Sequence, residues 1–202
     1  MTRTALGAAA AIAAAAAVAA PAQAGVLTKS ATDCADPTLS QPFKPWLDGS
    51  YYKLVDNGTF ETGADGWTLT GGARVVDGTA SQRVSGAGSK SLLLPAGSSA
   101  TTPPVCVGLN EPIMRYFTRK NSGLLSTMAV SVQVQTSLDV WLTLPIGVDL
   151  GGAWHPSPPN LVVANLLPLL PPDMTAVRFK FTPLLGGEWQ IDDVYVDPRN
   201  RL

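Results

Sequence analysis

Charge and reactive side chains are scarce in this sequence. Its 202 residues include 14 Lys and Arg and 15 Asp and Glu, a formal net charge of −1, and the basic residues form no stripe. Nucleic acid and anionic membrane are therefore excluded as expected partners. One histidine and two cysteines are too few for a zinc site. A serine triad would depend on that histidine, His155, and no G-x-S-x-G motif accompanies it.

Long apolar runs are also scarce. Residues 6–20 form an alanine-rich run that follows Arg3 and precedes the cleavage pattern Ala22-Gln23-Ala24. The run is short for a transmembrane anchor, which needs about 20 strongly apolar residues. The arrangement predicts a signal peptide over residues 1–24 and a secreted, extracellular mature protein. A second apolar stretch, residues 161–170, is too short to span a membrane and contains Pro168. We expect no membrane span.

The two cysteines, Cys34 and Cys106, form an even pair in a chain predicted to reach an oxidising compartment. Such a pair indicates one disulfide. The bond would close a loop of about 70 residues and contribute roughly 4 kcal/mol in the chain-entropy model. It would tether an N-terminal arm, residues 25–50, to a single domain that spans residues 51–202.

A helical period is absent from the mature region, and 19 Gly and 17 Pro exclude long helices. Alternation of apolar and polar residues is frequent instead, as in residues 128–135, 177–181 and 114–119. Weaker strands are predicted over residues 51–55, 67–70, 73–76, 80–84, 91–94, 105–109, 140–144 and 188–196. Many short strands separated by glycine turns predict an all-β, two-sheet antiparallel β-sandwich.

Two short motifs at opposite ends of the predicted domain carry a resemblance. Residues 55–61 read V-D-N-G-T-F-E and are followed by Gly66-Trp67, while residues 189–194 read W-Q-I-D-D-V. This combination resembles the jelly-roll carbohydrate-binding modules of families four, nine and twenty-two, which have a galactose-binding-like fold. The motifs at residues 43–48 and 191–198 also resemble motifs that a group of secreted proteins of high-GC Gram-positive bacteria share. The resemblance implies a non-catalytic module whose partner is a polysaccharide or cell-wall glycan.

The resemblance also implies a structural Ca²⁺ ion where the first and last strands meet. By carry-over its ligands would be Glu61 and Asp192 with backbone oxygens near Asn57, and Asp193 is the reserve ligand. Oxygen donors of this kind suit calcium. Strand parity places Asp192 on the face of Val194, which is expected to point into the core. The alternative is a surface carboxylate cluster without a metal.

The tryptophans are the candidates for sugar stacking. Trp67 and Trp189 belong to the resemblance motifs and are expected in the core, and Trp46 is expected to pack beneath the arm. This leaves Trp141 and Trp154, with the neighbouring His155, as candidate ligand-binding residues, since Trp154 and His155 lie in a Gly/Pro-rich loop. Each could instead be a packing residue. The basic cluster Arg115, Arg119 and Lys120 is expected on a solvated strand face, and binding of acidic sugar groups is the alternative.

Two other functions stay open on the sequence. A structural or protein-interaction domain of the cell envelope would expose an apolar patch, such as residues 161–170, to a protein partner. A small secreted glycoside hydrolase would need two facing carboxylic acids, whose separation a sequence does not reveal. No nucleophile motif or cofactor loop is present, so we expect a protein that is not an enzyme.

Overall fold

A computed structural model of the chain describes residues 30–31, 34, 38–80, 88–107, 113–136, 138–162 and 174–197. Within these residues, two antiparallel sheets and one short 3-10 helix, Lys44–Trp46, make up the regular structure. Sheet A contains β1 (Ser30–Ala31), β4 (Thr68–Thr70), β7 (Ser99–Thr101), β8 (Val105–Val107), β10 (Thr127–Gln135), β11 (Trp141–Asp149) and β14 (Met174–Leu184). Sheet B contains β2 (Leu39–Ser40), β3 (Tyr52–Leu54), β5 (Arg74–Asp77), β6 (Lys90–Leu94), β9 (Ile113–Ser122), β12 (His155–Pro156), β13 (Asn160–Leu161) and β15 (Glu188–Asp197).

The order of strands in each sheet determines which side chains are neighbours. Sheet A runs β11-β10-β14-β7-β4, with β1 and β8 also paired to β14. Sheet B runs β12-β9-β15-β3-β2, with β13 on β9, β6 on β15 and β5 on β6. β11 is an edge strand, and its register to β10 shifts between Val130 and Ser131, where Ser131 faces Pro145.

The core lies between the two sheets and follows the predicted alternation. In β10 every second side chain, from Met128 to Val134, is buried, and the residues between them are only partly buried. β14 buries Val177, Phe179 and Phe181 in the same way. Because each buried aliphatic or aromatic side chain contributes roughly 1.5–3 kcal/mol, this pattern holds the sheets together. The prediction of a two-sheet antiparallel β-sandwich is confirmed.

Aromatic residues from both sheets meet in this core. The Trp67 ring contacts Phe60 at 4.9 Å and Phe181 at 6.2 Å between centroids, and Tyr116 meets Phe181 edge-on at 5.0 Å. Trp67 and Trp189 both belong to the core, as the sequence predicted. Trp46 packs edge-on against Phe117, which confirms its expected place under the arm.

A β-bulge in β15 corrects the parity argument for Asp192. The register between β15 and β9 shifts between Asp192 and Tyr195, and Asp193 has a φ of 49°. Asp192 is paired with Phe117, which belongs to a second cluster on the outer face of sheet B. Val194 belongs to the main core. The bulge thus reverses the facing of the strand, and Asp192 lies on the face opposite to Val194.

The N-terminal arm is joined to both sheets. The Cys34–Cys106 disulfide is present, as predicted, and links the arm to β8 of sheet A. Farther along the arm, β2 pairs with β3 of sheet B. Phe43 stacks on Phe117 with centroids 5.5 Å apart and is fully buried. The arm therefore covers part of the outer face of sheet B, while the division into an arm and a domain stays a prediction.

Several predicted features lie outside the described residues. These are the signal peptide over residues 1–24, all of the predicted strand 80–84 except Ala80, and residues 163–170 of the apolar stretch. Of that stretch, Leu161 is exposed and Val162 is buried. Among the residues that the structure describes, no helix has the length and apolar character needed to cross a membrane.

Candidate functional site

Among the described residues, the outer face of sheet A carries mostly polar side chains, most of them half-buried or exposed. We call it the platform and define it by the outward side chains of its strands. Its polar and aromatic members are Thr68, Thr101, Ser131, Gln133, Gln135, Trp141, Thr143, Arg178 and Lys180, of which Thr101 is buried. They point outward because the intervening residues of β10 and β14, and Ala100 of β7, belong to the core. With adjacent strands about 4.8 Å apart, the five main strands give the platform a width of roughly 19 Å.

Trp141 is the aromatic group of the platform. It begins β11, is paired with Gln135 across the sheet and belongs to neither hydrophobic cluster. The guanidinium carbon of Arg178 lies 4.5 Å from the centroid of its ring. This cation–π contact holds the guanidinium of Arg178 over the half-buried indole. The role of Trp141 as a ligand-binding residue stays a prediction.

Hydroxyl, amide and cationic groups form rows beside the indole. Gln133 is paired with Thr143 on one side and with Arg178 on the other. In the next row Lys180 is paired with Ser131 and Thr101, and the row continues to Thr68. These side chains offer hydrogen-bond donors and acceptors in one plane. The platform is therefore suited to a ligand with many hydroxyl groups and an extended shape.

Trp154 and His155 do not join Trp141, because they lie on the sheet B side. Trp154 packs against the cluster around Phe43, and the Arg119 guanidinium carbon lies 5.3 Å from its ring centroid. His155 Nε2 lies 3.2 Å from both carboxylate oxygens of Asp149, and its Nδ1 lies 2.7 Å from the carbonyl oxygen of Ala153. The two candidate tryptophans therefore belong to opposite faces of the sandwich.

The protonation of His155 gives a direct test of this contact. The hydrogen bond to the Asp149 carboxylate raises the pKa of His155 above its usual 6.5. The charged form is stabilised by folding, so its contribution to stability is complete below about pH 6.5 and is lost as pH rises through the raised pKa. Because His155 is the only histidine, one NMR ring resonance should titrate above 6.5. In Asp149→Asn the midpoint should fall, and an unchanged midpoint would contradict the contact.

The predicted metal ligands Glu61 and Asp192 lie on either side of Thr79. Glu61 Oε1 accepts hydrogen bonds from the backbone N–H groups of Ser89 and Lys90, at 2.8 and 2.9 Å. Asp192 Oδ2 accepts from Thr79 Oγ1 at 2.7 Å and from the Ala80 N–H at 2.9 Å. Burial, reinforced by the negative charge of Asp193, raises the pKa of Asp192 to about 7. We call these groups, which lie in β15 and beside the facing ends of β5 and β6, the seam.

The other two predicted ligands differ in position. Asn57 Nδ2 donates to the Asp65 carbonyl, and its Oδ1 accepts from Thr62 Oγ1, so its side chain closes a local turn. Asp193 is buried at the bulge, directly after Asp192. In the part of the chain that the structure describes, no group of three or more His, Cys, Asp or Glu side chains is arranged to hold a metal ion. The calcium ion stays a prediction.

The expected solvated basic cluster is wrong for Arg115, while Arg119 and Lys120 are half-buried and make side-chain contacts. Arg115 is buried and forms an ion pair with Asp48 at 2.8 Å. Arg119 Nε donates to Gln190 Oε1 and its guanidinium covers Trp154. Lys120 Nζ donates to three backbone carbonyls, those of Leu124, Ser126 and Leu150. Each cation has a tertiary partner that is distant in sequence, which the pattern of β9 did not reveal.

Arg178 and Lys180 were not predicted as site residues. The alternation in residues 177–181 correctly placed them on the polar face of a strand. It could not show that this face is open while the outer face of sheet B is partly covered by the arm. The signal in the sequence is the combination of two cations with hydroxyl and amide residues on predicted neighbouring strands.

Comparison with known proteins supports the fold. No protein-family model matches the sequence, and no curated protein matches it. A solved structure of the N-terminal endo-1,4-beta-D-xylanase 10B of Clostridium thermocellum, comprising its CBM22-1 and GH10 modules with xylohexaose, aligns at a TM-score of 0.52 and 17% identity. That alignment covers 70% of this chain and 28% of the xylanase chain.

Two further solved structures are similar at lower TM-scores. A xylan-binding domain of carbohydrate-binding module family 22 aligns at 0.48 with 19% identity, over 77% of this chain and 99% of that domain. TmCBM61, solved with β-1,4-galactotriose, aligns at 0.41 with 18% identity, over 71% and 97%. At such identities the likeness to the xylanase module shows the fold alone. The class of protein is thus a two-sheet jelly-roll β-sandwich, as the resemblance in the sequence implied.

Proposed function

We propose that this chain is an exported, non-catalytic module that binds carbohydrate on the platform. The observation that carries the proposal is Trp141, an indole supported from one side by Arg178 and surrounded by hydroxyl and amide groups. Sugars present apolar C–H faces and many hydroxyl groups, so they are recognised by an aromatic ring beside polar side chains. One solved structure with a similar fold is named as a xylan-binding domain and another was solved with β-1,4-galactotriose, which suggests the first glycans to test.

The choice of the platform over the other outer face rests on accessibility. The outer face of sheet B is occupied by the arm, where Phe43 and Tyr52 are fully buried. Trp154 on that side is already used in packing against this cluster. Sheet A has no such cover over Trp141, Gln133 or Lys180 among the described residues. Export is supported by the Cys34–Cys106 disulfide, since disulfides persist in oxidising compartments.

Removal of the Trp141 ring should abolish most of the binding. Central aromatic residues of a binding site cost at least about 2 kcal/mol when truncated, so Trp141→Ala should weaken affinity roughly 30-fold or more. Affinity electrophoresis of the whole chain in gels containing soluble xylan, β-1,4-galactan or mixed-linkage glucan would measure it. Trp154→Ala removes the same side chain from the other face and should leave affinity unchanged. Loss of binding in Trp154→Ala alone would move the site to sheet B.

A calcium ion at the seam is a second element of the proposal. The hydrogen bonds among the described residues use one lone pair on Glu61 Oε2 and one on Asp192 Oδ1, so both oxygens keep coordination capacity. Glu61 also lines an open cleft of about 610 Å³, which gives an ion access to the seam. When bound, the ion would supply positive charge beside the buried carboxylates Asp192 and Asp193.

Calcium should then stabilise the folded chain. At 100 times its Kd, a ligand that binds only the folded state adds about 2.7 kcal/mol to the free energy of unfolding. Thermal melts in excess calcium and in chelator should differ by several degrees. The difference should disappear in Asp192→Asn and persist in Asp65→Asn, which removes an exposed carboxylate outside the seam. Identical melts with and without calcium would remove the ion from the proposal.

A further inference from the structure

We infer that the glycan bound on the platform is anionic, with carboxylate groups such as those of uronic acids. This inference rests on the proposed carbohydrate-binding function and adds the chemical class of the ligand. Two observations support it: the platform strands carry a net positive charge, and the guanidinium of Arg178 lies over the ring of Trp141.

The platform carries two positive charges and no balancing acid on its strands. In the strands of sheet A, the ionisable side chains are Arg178, Lys180 and Asp149. Asp149 is buried at the end of β11 and contacts His155. The nearby Asp139 lies in the turn after β10, where it accepts a hydrogen bond from Gln135. The outward positions of the strands therefore sum to +2 in a chain whose formal charge is −1.

The guanidinium of Arg178 is positioned to bind an anionic group of a ligand. This group lies against the Trp141 ring, and the Arg178 Nε is buried and has no hydrogen-bond partner among the described residues. A buried donor that is left unpaired carries a desolvation cost, which a ligand acceptor would relieve. A carboxylate is the acceptor that matches the planar fork of a guanidinium with two parallel hydrogen bonds. The same ligand could then place its ring on Trp141.

Lys180 extends the positive surface along β14. It is two residues from Arg178, so the two side chains share a face and their Cα atoms are about 7 Å apart. Lys180 is flanked by the hydroxyl residues Ser131 and Thr101 in the neighbouring strands. Two cations in line with an indole suit a polymer that carries acids on successive sugars better than one with a single charge. A neutral glycan would cover both cations without pairing them, which is unfavourable.

The test compares glycans that differ only in charge. Polygalacturonate and its fully methyl-esterified form share one backbone, as do glucuronoxylan and debranched xylan. In affinity electrophoresis of the whole chain at low salt, we expect at least tenfold tighter binding to the acidic member of each pair. The difference should shrink as salt is raised, because exposed charges are screened. Arg178→Gln and Lys180→Gln should each reduce the preference several-fold.

Controls separate this inference from the proposed function. Lys44→Gln removes one charge from the exposed surface of the arm and should leave the preference intact. Thermal melts will show that each variant is folded. Equal binding of acidic and neutral members would overturn the anionic inference and leave carbohydrate binding in place. If Lys44→Gln lowers the preference for the acidic glycan as much as Arg178→Gln and Lys180→Gln do, the attraction is unspecific and the anionic inference is overturned. Failure to bind any glycan in the set, acidic or neutral, would overturn the proposed function as well.

Discussion

Loss of the Cys34–Cys106 disulfide is expected to lower the free energy of unfolding by roughly 4 kcal/mol. The bond joins residues separated by 72 positions, so it removes much of the freedom of the unfolded chain. It also keeps the arm beside sheet A, where β1 and β8 both pair with β14. For a chain of this size, 4 kcal/mol corresponds to a fall of about 8–16 °C in melting temperature.

Thermal melts of the oxidised chain and of the double variant Cys34→Ala/Cys106→Ala would measure this loss. A reducing agent should lower the melting temperature of the native chain and leave that of the double variant unchanged. Glycan affinity should be retained below the new melting temperature, because neither cysteine lies in the platform strands β4, β7, β10, β11 and β14. A double variant that melts with the oxidised chain would show that the arm is held by its apolar contacts alone.

Replacement of Arg115 by methionine should also lower the free energy of unfolding. Arg115 is buried and bonds Asp48 Oδ2 at 2.8 Å through Nη1, while its Nε and Nη2 donate to the Ser157 carbonyl at 3.1 and 2.8 Å. It thereby joins the arm, β9 and the segment after β12, and its guanidinium lies 4.4 Å from the Phe43 ring centroid. Removal of one partner costs about 3–5 kcal/mol for a fully buried ion pair and about 0–1 kcal/mol for an exposed one. Because Arg115 is buried and Asp48 is only partly buried, we expect a loss between these two ranges.

A set of variants can apportion this cost. Urea unfolding of Arg115→Met should show the full loss, and Arg115→Met/Asp48→Asn should recover part of it because the stranded carboxylate is gone. Arg115→Lys keeps one positive charge but not the fork that reaches Ser157, so an intermediate loss is expected. A loss below about 1 kcal/mol for Arg115→Met would mean that the pair contributes no more than an exposed salt bridge.

Local alternation was enough to predict the strands that build the core. β10 and β14 follow the two-residue period closely, because one face of each packs into the interior. The bulge at Asp192 and Asp193 was not predictable in position, since it depends on how β15 fits β9. One inserted residue reverses the face of everything beyond it, which is why the placement of Asp192 toward the core was wrong.

The residues of the candidate site were likewise predictable from the sequence only in part. Trp141 could be named from the sequence because a tryptophan beside polar alternating strands has a recognisable chemistry. Its partner Arg178 is 37 positions away, and only the pairing of β10 with both β11 and β14 brings them together. Likewise Arg115 and Asp48, which are 67 residues apart, form an ion pair that no local pattern indicates. Sequence reasoning predicted faces of strands, and the arm decided which outer face is open.

The edge strand of sheet A affects whether copies of the protein pair with one another at high protein concentration. An exposed edge strand can recruit the edge of another copy and start a continuous sheet between molecules. In β11, Pro145 has no backbone N–H to offer, and it lies where the register to β10 shifts. Proline and irregular register both interrupt the ladder that such pairing requires. We therefore expect β11 to resist edge-to-edge pairing between copies of the chain.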